Sequence, residues 1–206
     1  MAAGRGFIML DMERQKEHFE HHVSKLTDYG NIKILDFKNP NSSNYRIRFL
    51  FEEDYCRLHI SGDLGELIAA NYNNMTYEDF SDFTNSIGYF EEKIKSHSEP
   101  IYEYDFEKAK EELTDLVNEC DVVDKIYEDH DWNDTPEAAV EEFVDDVLAD
   151  FDNRNGIGSA GYDEASKYIP DFYESVSSIG RERTGILELY MLAFKLAQKQ
   201  LKQQVN

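Results

Sequence analysis

Apolar residues recur along this chain with two periods, and the change of period organises it. From Asp11 to Leu26 a sparse stripe of Met12, Phe19, Val23 and Leu26 follows helical spacing and predicts a helix. Asp28-Tyr29-Gly30-Asn31 is a stop signal. Beyond it the period becomes two. Ile32 and Ile34 alternate with polar neighbours. Tyr45, Ile47, Phe49 and Phe51 alternate with Arg46, Arg48 and Leu50, and Cys56, Leu58 and Ile60 alternate again. Glu66 to Tyr72 reads as a fourth strand. The connections are turn-rich: Asn39 to Asn44, Glu53-Asp54, and Ser61 to Gly65. Short links between alternating runs predict an antiparallel meander with one buried face.

From Thr76 the period is helical to the end of the chain. Thr76 with Asp79 resembles a capping box with Asp in place of Glu. Tyr77, Phe80, Phe83, Ile87, Phe90 and Ile94 share a face and predict one helix, closed by Ser96 to Pro100. The next helix starts near Asp105, with Phe106, Ala109, Leu113, Leu116, Val117 and Cys120 inward. Asp121 to Asp134 predicts a short helix and a loop carrying Trp132. Thr135-Pro136 supplies a capping hydroxyl and a first-position proline for a helix bearing Val140, Phe143, Val144, Val147, Leu148 and Phe151. Asp152 to Gly161 is a polar, Gly-rich loop, Tyr162 to Ser175 a helix interrupted at Pro170, and Arg181 to Gln204 a long final helix. That helix is apolar on more than one face, through Ile186, Leu187, Leu189, Tyr190, Met191, Leu192, Phe194 and Leu196. It is either deeply buried or shared in a homodimer.

The fold expected is α+β: an N-terminal helix on a four-stranded antiparallel meander, then a mostly α-helical C-terminal half. Residues 1–100 would form the helix–sheet–helix domain and 101–206 an acidic helical domain, separate from the first or continuous with it. The 206 residues, 41% apolar and 13% aromatic, supply enough core material for a folded chain despite 31% charge. No run approaches the roughly 20 apolar residues of a membrane span. Phe7 to Leu10 is too short for a signal-peptide core, and the expected location is cytoplasmic. Met9 is a plausible alternative start. Cys56 and Cys120 are too few for a disulfide scaffold or a thiolate zinc site.

Charge changes the picture most. The chain holds 43 acids against 21 bases, net −22, and residues 103–152 alone hold 20 acids and three lysines. Because apolar residues run through that segment at helical spacing, it is expected to fold and to present its charge on a fixed surface. On the helix from Asp105, Glu107, Glu111, Glu112, Asp115 and Glu119 fall opposite the apolar stripe; on the helix from Pro136, Glu141, Glu142, Asp145, Asp146 and Asp150 do the same. With Asp129, Asp131, Trp132 and Asp134 between them, these are the candidate partner-binding residues. Two such faces side by side would approach the charge density of DNA, one per roughly 1.7 Å of duplex axis. The other reading of the same acids is a solubility surface.

Four local patterns point elsewhere and carry less. Gly156-Ile157-Gly158-Ser159-Ala160-Gly161 spells the dinucleotide fingerprint, but the element before it is an acidic helix rather than a strand. Asp129 to Asp134 begins like a calcium loop, yet the required Gly and Glu positions hold Asp134 and Val140. His18 and His22 are four apart on the expected first helix, without a third ligand nearby. Chance carboxylate pairs are expected in so acidic a chain. No catalytic residue, metal site or cofactor is assigned.

At Tyr55 to Ser98 the chain reads YCRLHISGDLGELIAANYNN and then FTNSIGYFEEKIKSHS. Ile60-Ser61-Gly62-Asp63-Leu64-Gly65 followed by Gly88-Tyr89-Phe90-Glu91-Glu92-Lys93 resembles small accessory proteins of bacteriophages and prophages. The resemblance covers about a fifth of the chain and brings no catalytic residues with it. It implies a phage origin. Phage accessory proteins of this size and acidity include inhibitors of host defence, among them anti-CRISPR and anti-restriction proteins, several of which mimic DNA. The expected function is thus a non-enzymatic inhibitor whose acidic helices occupy the basic nucleic-acid channel of a host nuclease or CRISPR effector. An acidic scaffold protein with another basic partner and a metal-dependent carboxylate enzyme are the alternatives. With no basic stripe, direct nucleic-acid binding is not expected.

Overall fold

The computed structural model describes residues 11–129 and 135–205. In chain order the first elements are α1 (Met12–Glu17), β1 (Val23–Asp28), β2 (Ile32–Lys38), β3 (Ile47–Glu52), β4 (Arg57–Gly62), β5 (Leu67–Ala70), α2 (Phe80–Phe83), α3 (Ile87–Glu91) and β6 (Ile94–His97). There follow β7 (Tyr102–Tyr104), α4 (Phe106–Glu119), α5 (Val123–Asp129), α6 (Pro136–Val147), α7 (Ser159–Ala165), α8 (Phe172–Ser175), β8 (Arg181–Arg183) and α9 (Ile186–Val205). They fall into two compact units. The first runs up to Ile101 and regains the chain from Gly185 onward; the second is Tyr102–Thr184.

The first unit corrects the expected fold class. Its sheet has six antiparallel strands in the order β1-β2-β3-β4-β5-β6, not four, and a separate two-stranded sheet pairs β7 with β8. Both extra strands of the large sheet come from segments that read as helix. Val23-Ser24-Lys25-Leu26-Thr27-Asp28 lies in strand register with β2, Leu26 opposite Leu35. Here alternation wins over the sparse helical stripe: Ser24 faces inward and Val23 and Lys25 are exposed. The expected helix from Thr76 to Ile94 is two short helices, and Ile94 leads into β6 opposite Ala69. The break falls at Thr84-Asn85-Ser86, where the Thr84 hydroxyl donates to the Ser81 carbonyl and competes with the helical ladder. The Thr76–Asp79 pair does form, with the Asp79 N–H donating to Thr76 Oγ1 at 3.2 Å.

One face of the sheet is the core. Leu35, Phe37, Phe49, Phe51, Leu58, Ile60, Leu67 and Ala69 are buried, and α9 covers them with Leu187, Tyr190, Met191, Phe194 and Ala197. Of the apolar residues that left a homodimer open, Leu187, Leu189, Tyr190, Met191, Leu192 and Phe194 are buried within the chain, while Ile186 and Leu196 are half-buried. Phe194 is the hub: its ring centroid lies 4.8 Å from Phe80, 5.3 Å from Phe49, 6.0 Å from Tyr77 and 6.2 Å from Phe51, in edge-on or T-shaped packing. The buried Tyr190 hydroxyl donates to the Leu64 carbonyl at 2.7 Å. At the edge of the sheet, Gln200 treats β1 as a neighbouring strand would. Its Oε1 accepts from the Ser24 N–H at 3.0 Å and its Nε2 donates to the His22 carbonyl at 2.7 Å, which blunts an edge open to aggregation.

Arg181–Arg183, expected to open the final helix, is instead β8, in register with Tyr102–Tyr104. Gly185 at φ +80° then allows the turn into α9. Among the described residues no helix is long and apolar enough to cross a membrane.

Two outcomes follow. Phe194→Ala should cost about 3–5 kcal/mol, the usual range for a fully buried aromatic, measured by urea unfolding. His22 is buried between Phe19 and Phe37, and its pKa falls below 6.5, chiefly through burial, against bonding to the Tyr45 carbonyl. The unfolded chain then binds the proton more readily, so stability is full above pH 6.5 and declines as pH falls below it. A Tm series from pH 5 to 8 should show this slope, and His22→Gln should flatten it.

Candidate functional site

The second unit holds 25 acids and 7 bases, net −18 of the chain's −22. Its two main helices form as their caps and stripes demand. The Asp105 carboxylate accepts from the Lys108 N–H at 2.8 Å and starts α4; Thr135 Oγ1 accepts from the Ala138 N–H at 3.3 Å and starts α6. Ala109, Leu113 and Val117 of α4 pack with Ala139, Val140, Phe143, Val144 and Val147 of α6 in one buried cluster, joined by Ile126 of α5, Ile157, Ala165, Ile169 and Phe172. Glu137, in the first turn of α6, has its carboxyl held below the usual range by the backbone N–H there and by the Thr135 hydroxyl.

The acidic faces lie opposite this core. Glu107, Glu111, Asp115 and Glu119 on α4 are exposed, as are Glu141, Glu142, Asp145 and Asp146 on α6 and Asp129 at the end of α5. Among the described residues a single lysine joins the two helices. Lys110 Nζ of α4 lies 2.8 Å from Asp145 Oδ1 and 3.8 Å from Glu141 Oε1, and bonding to Asp145 raises its pKa. The two faces are therefore contiguous, with one cation at the seam. Asp131, Trp132 and Asp134 lie outside the described residues.

Two of the expected site residues spend their carboxylates on the chain's own backbone. Glu112 Oε2 accepts from the Gly180 N–H at 2.7 Å, with Lys108 3.8 Å from its other oxygen. Asp150 is a helix cap: its carboxylate accepts from the N–H groups of Ala160 at 2.9 Å and Gly161 at 3.1 Å, at the start of α7. This accounts for the fingerprint-like loop. A Cβ at Gly158 would strike the Asp150 carboxylate, and one at Gly161 would strike the Val147 carbonyl and the Ile157 side chain. The glycines admit the chain's own anion at the helix start, where a nucleotide site would hold pyrophosphate. Gly158 and Gly161 following Asp150 by eight and eleven residues are the signal for such a cap, and sequence reading alone passed over it.

The histidine pair does not share a helix, because α1 ends at Glu17. His18 stacks on Tyr45 with centroids 4.4 Å apart, while His22 Nε2 donates to the Tyr45 carbonyl at 3.1 Å. Among the described residues, no group of three or more His, Cys, Asp or Glu side chains is placed to hold a metal ion. No protein-family model, curated protein or solved structure matches the chain.

Removing the internal cap should unfasten α7. Asp150→Ala leaves two N–H groups without their partner and should cost about 1–2 kcal/mol in urea unfolding.

Proposed function

We propose that the protein is a phage-encoded, non-enzymatic inhibitor of a host nucleic-acid-targeting defence complex, of anti-CRISPR or anti-restriction type. It acts in the host cytoplasm, where the acidic surface of α4 and α6 mimics DNA and occupies the basic channel of a nuclease or CRISPR effector. The supporting observation is the contiguous array of exposed carboxylates that Lys110 joins across the two helices. Along α4, Glu107, Glu111, Asp115 and Glu119 recur every four residues, about 6 Å at 1.5 Å rise per residue. One such row is sparser than DNA. Projected on one axis, two such rows would place a carboxylate about every 3 Å, close to the 3.4 Å between charges along one DNA strand. The match is to a strand, not to the full duplex density of one charge per roughly 1.7 Å.

Binding would draw on several Asp/Glu to Arg/Lys pairs across the interface, which favours fast, steered association and strong salt dependence. An acidic scaffold for some other basic partner would use the same surface. Pull-down from host lysate separates the two, since a nuclease or CRISPR effector is the partner expected here.

Charge reversal tests the surface directly. Glu141 and Asp145 are poor choices, because a lysine at either would face Lys110 and disturb the seam. Glu111, Asp115, Glu119 and Asp146 to Lys together should abolish capture of the partner while leaving the circular-dichroism spectrum and Tm near wild type. Wild-type binding should weaken steeply between about 0.1 and 0.5 M salt. Retained affinity in the quadruple variant, or salt-insensitive binding, would sink the proposal.

A further inference from the structure

The first unit carries a feature that the acidic-surface reading does not use. On the sheet face opposite α9, a cleft of about 390 Å³ opens between Asp36, Lys38, Arg46, Ile47, Arg48, Ser61, Gly62 and Glu66. That volume lies within the range of small-ligand sites. In a chain of net −22 the cleft gathers three cations, Lys38, Arg46 and Arg48, against two carboxylates. We propose that this cleft binds a small phosphate-bearing ligand, with Arg46 and Lys38 as its principal contacts. The proposal is independent of the acidic surface.

Strand register puts the cations there. Phe37 pairs with Ile47, so Lys38 and Arg46 flank the same end of the β2–β3 ladder, and Arg48 sits directly opposite Asp36. The Arg48 guanidinium donates two bonds to Asp36, 2.7 Å from Nε to Oδ1 and 3.0 Å from Nη2 to Oδ2. That bidentate pair fixes its orientation and consumes one carboxylate. Lys38 and Arg46 are exposed, and neither has an ion-pair or hydrogen-bond partner for its side chain among the described residues. The remaining charge balance is two cations against Glu66.

The mouth is held rigid. Tyr45, at φ +57°, donates its N–H to Asp63 Oδ2 at 2.9 Å, and the Asp63 N–H donates to the Arg46 carbonyl at 2.9 Å. Gly62, at φ +150°, lets the strands close there, since a Cβ would strike the Arg46 carbonyl oxygen. Phosphate suits the site better than a single carboxylate, because its oxygens can meet a guanidinium fork and an ammonium together. The chain's overall negative field is screened over about 8 Å at physiological ionic strength, so the contacting cations decide binding at close range.

The test is a titration of the full chain with sodium pyrophosphate at constant ionic strength, followed through backbone amide NMR shifts. Saturable shifts at residues 36–38, 46–48 and 61–62 are expected, with a dissociation constant below about 1 mM. The Lys38→Gln/Arg46→Gln double variant changes only exposed side chains and should weaken binding at least about tenfold, while Glu66→Gln should tighten it. Shifts that fail to saturate by about 10 mM, or that survive the double variant, overturn the proposal. Equal or tighter binding of citrate overturns the assignment to phosphate.

Discussion

Like-charge repulsion is the constraint on which the second unit is built. Twenty-five carboxylates on 83 residues must be held in place by something other than each other. The buried cluster between α4 and α6 supplies most of that, with Leu113, Val117, Phe143, Val144 and Val147 almost fully shielded from solvent. The chain also puts part of its negative charge to structural use. Asp105 and Asp150 sit at helix starts where N–H groups lack partners, and Asp152 accepts from the N–H groups of Arg154 and Asn155 in the loop that follows. Glu112 ties α4 to Gly180. What stays exposed is the outward rows of α4 and α6. The density of the surface is lower than a count of acids suggests, and its shape is better defined.

The first unit solves a different problem. A six-stranded sheet has one apolar face and two edges, and α9 closes the face with residues that lie roughly a hundred positions or more from the strands they cover. Phe194 and Tyr190 lock it in place, one through ring packing and the other through a hydroxyl bonded to Leu64. Gln200, one turn and a half beyond Phe194, then pairs with the backbone of β1. A single helix thus supplies both the core and the cover of an edge.

What the sequence made legible was local. Asp105, Thr135-Pro136 and the 3.6-residue stripes placed α4 and α6, together with their acidic faces, because caps and periodicity act within a few residues. The central strands were legible for the same reason. The outer strands were not. Val23 and Leu26 fit a helical stripe as well as a strand, and Ile94 continued the stripe from Tyr77; pairing with β2 and β5 decided both. Tyr102–Tyr104 pairs with Arg181–Arg183 across nearly eighty residues, so no local pattern announces it. Helical spacing after α6 assigns Asp150 to the acidic face, although the helix ends at Val147 and the Asp150 side chain caps the next one.

The uneven division of charge, −18 on the second unit and −4 on the first, has a structural origin. On a sheet, side chains directly opposite one another stand about 4.5–5.5 Å apart, and like charges there destabilise the pairing. The outer rows of the first unit accordingly alternate in sign: Lys25 lies opposite Asp36, which lies opposite Arg48, and Glu52 lies opposite Arg57. A helix tolerates repetition better. Like charges four apart cost only a few tenths of a kcal/mol per pair, and an apolar stripe on the other face offsets them. A one-sign array therefore belongs on helices with a strong core, as on α4 and α6. A sheet face retains local cations even in a strongly acidic chain, and Lys38 and Arg46 stand where the sign alternation runs out at the end of the β2–β3 ladder.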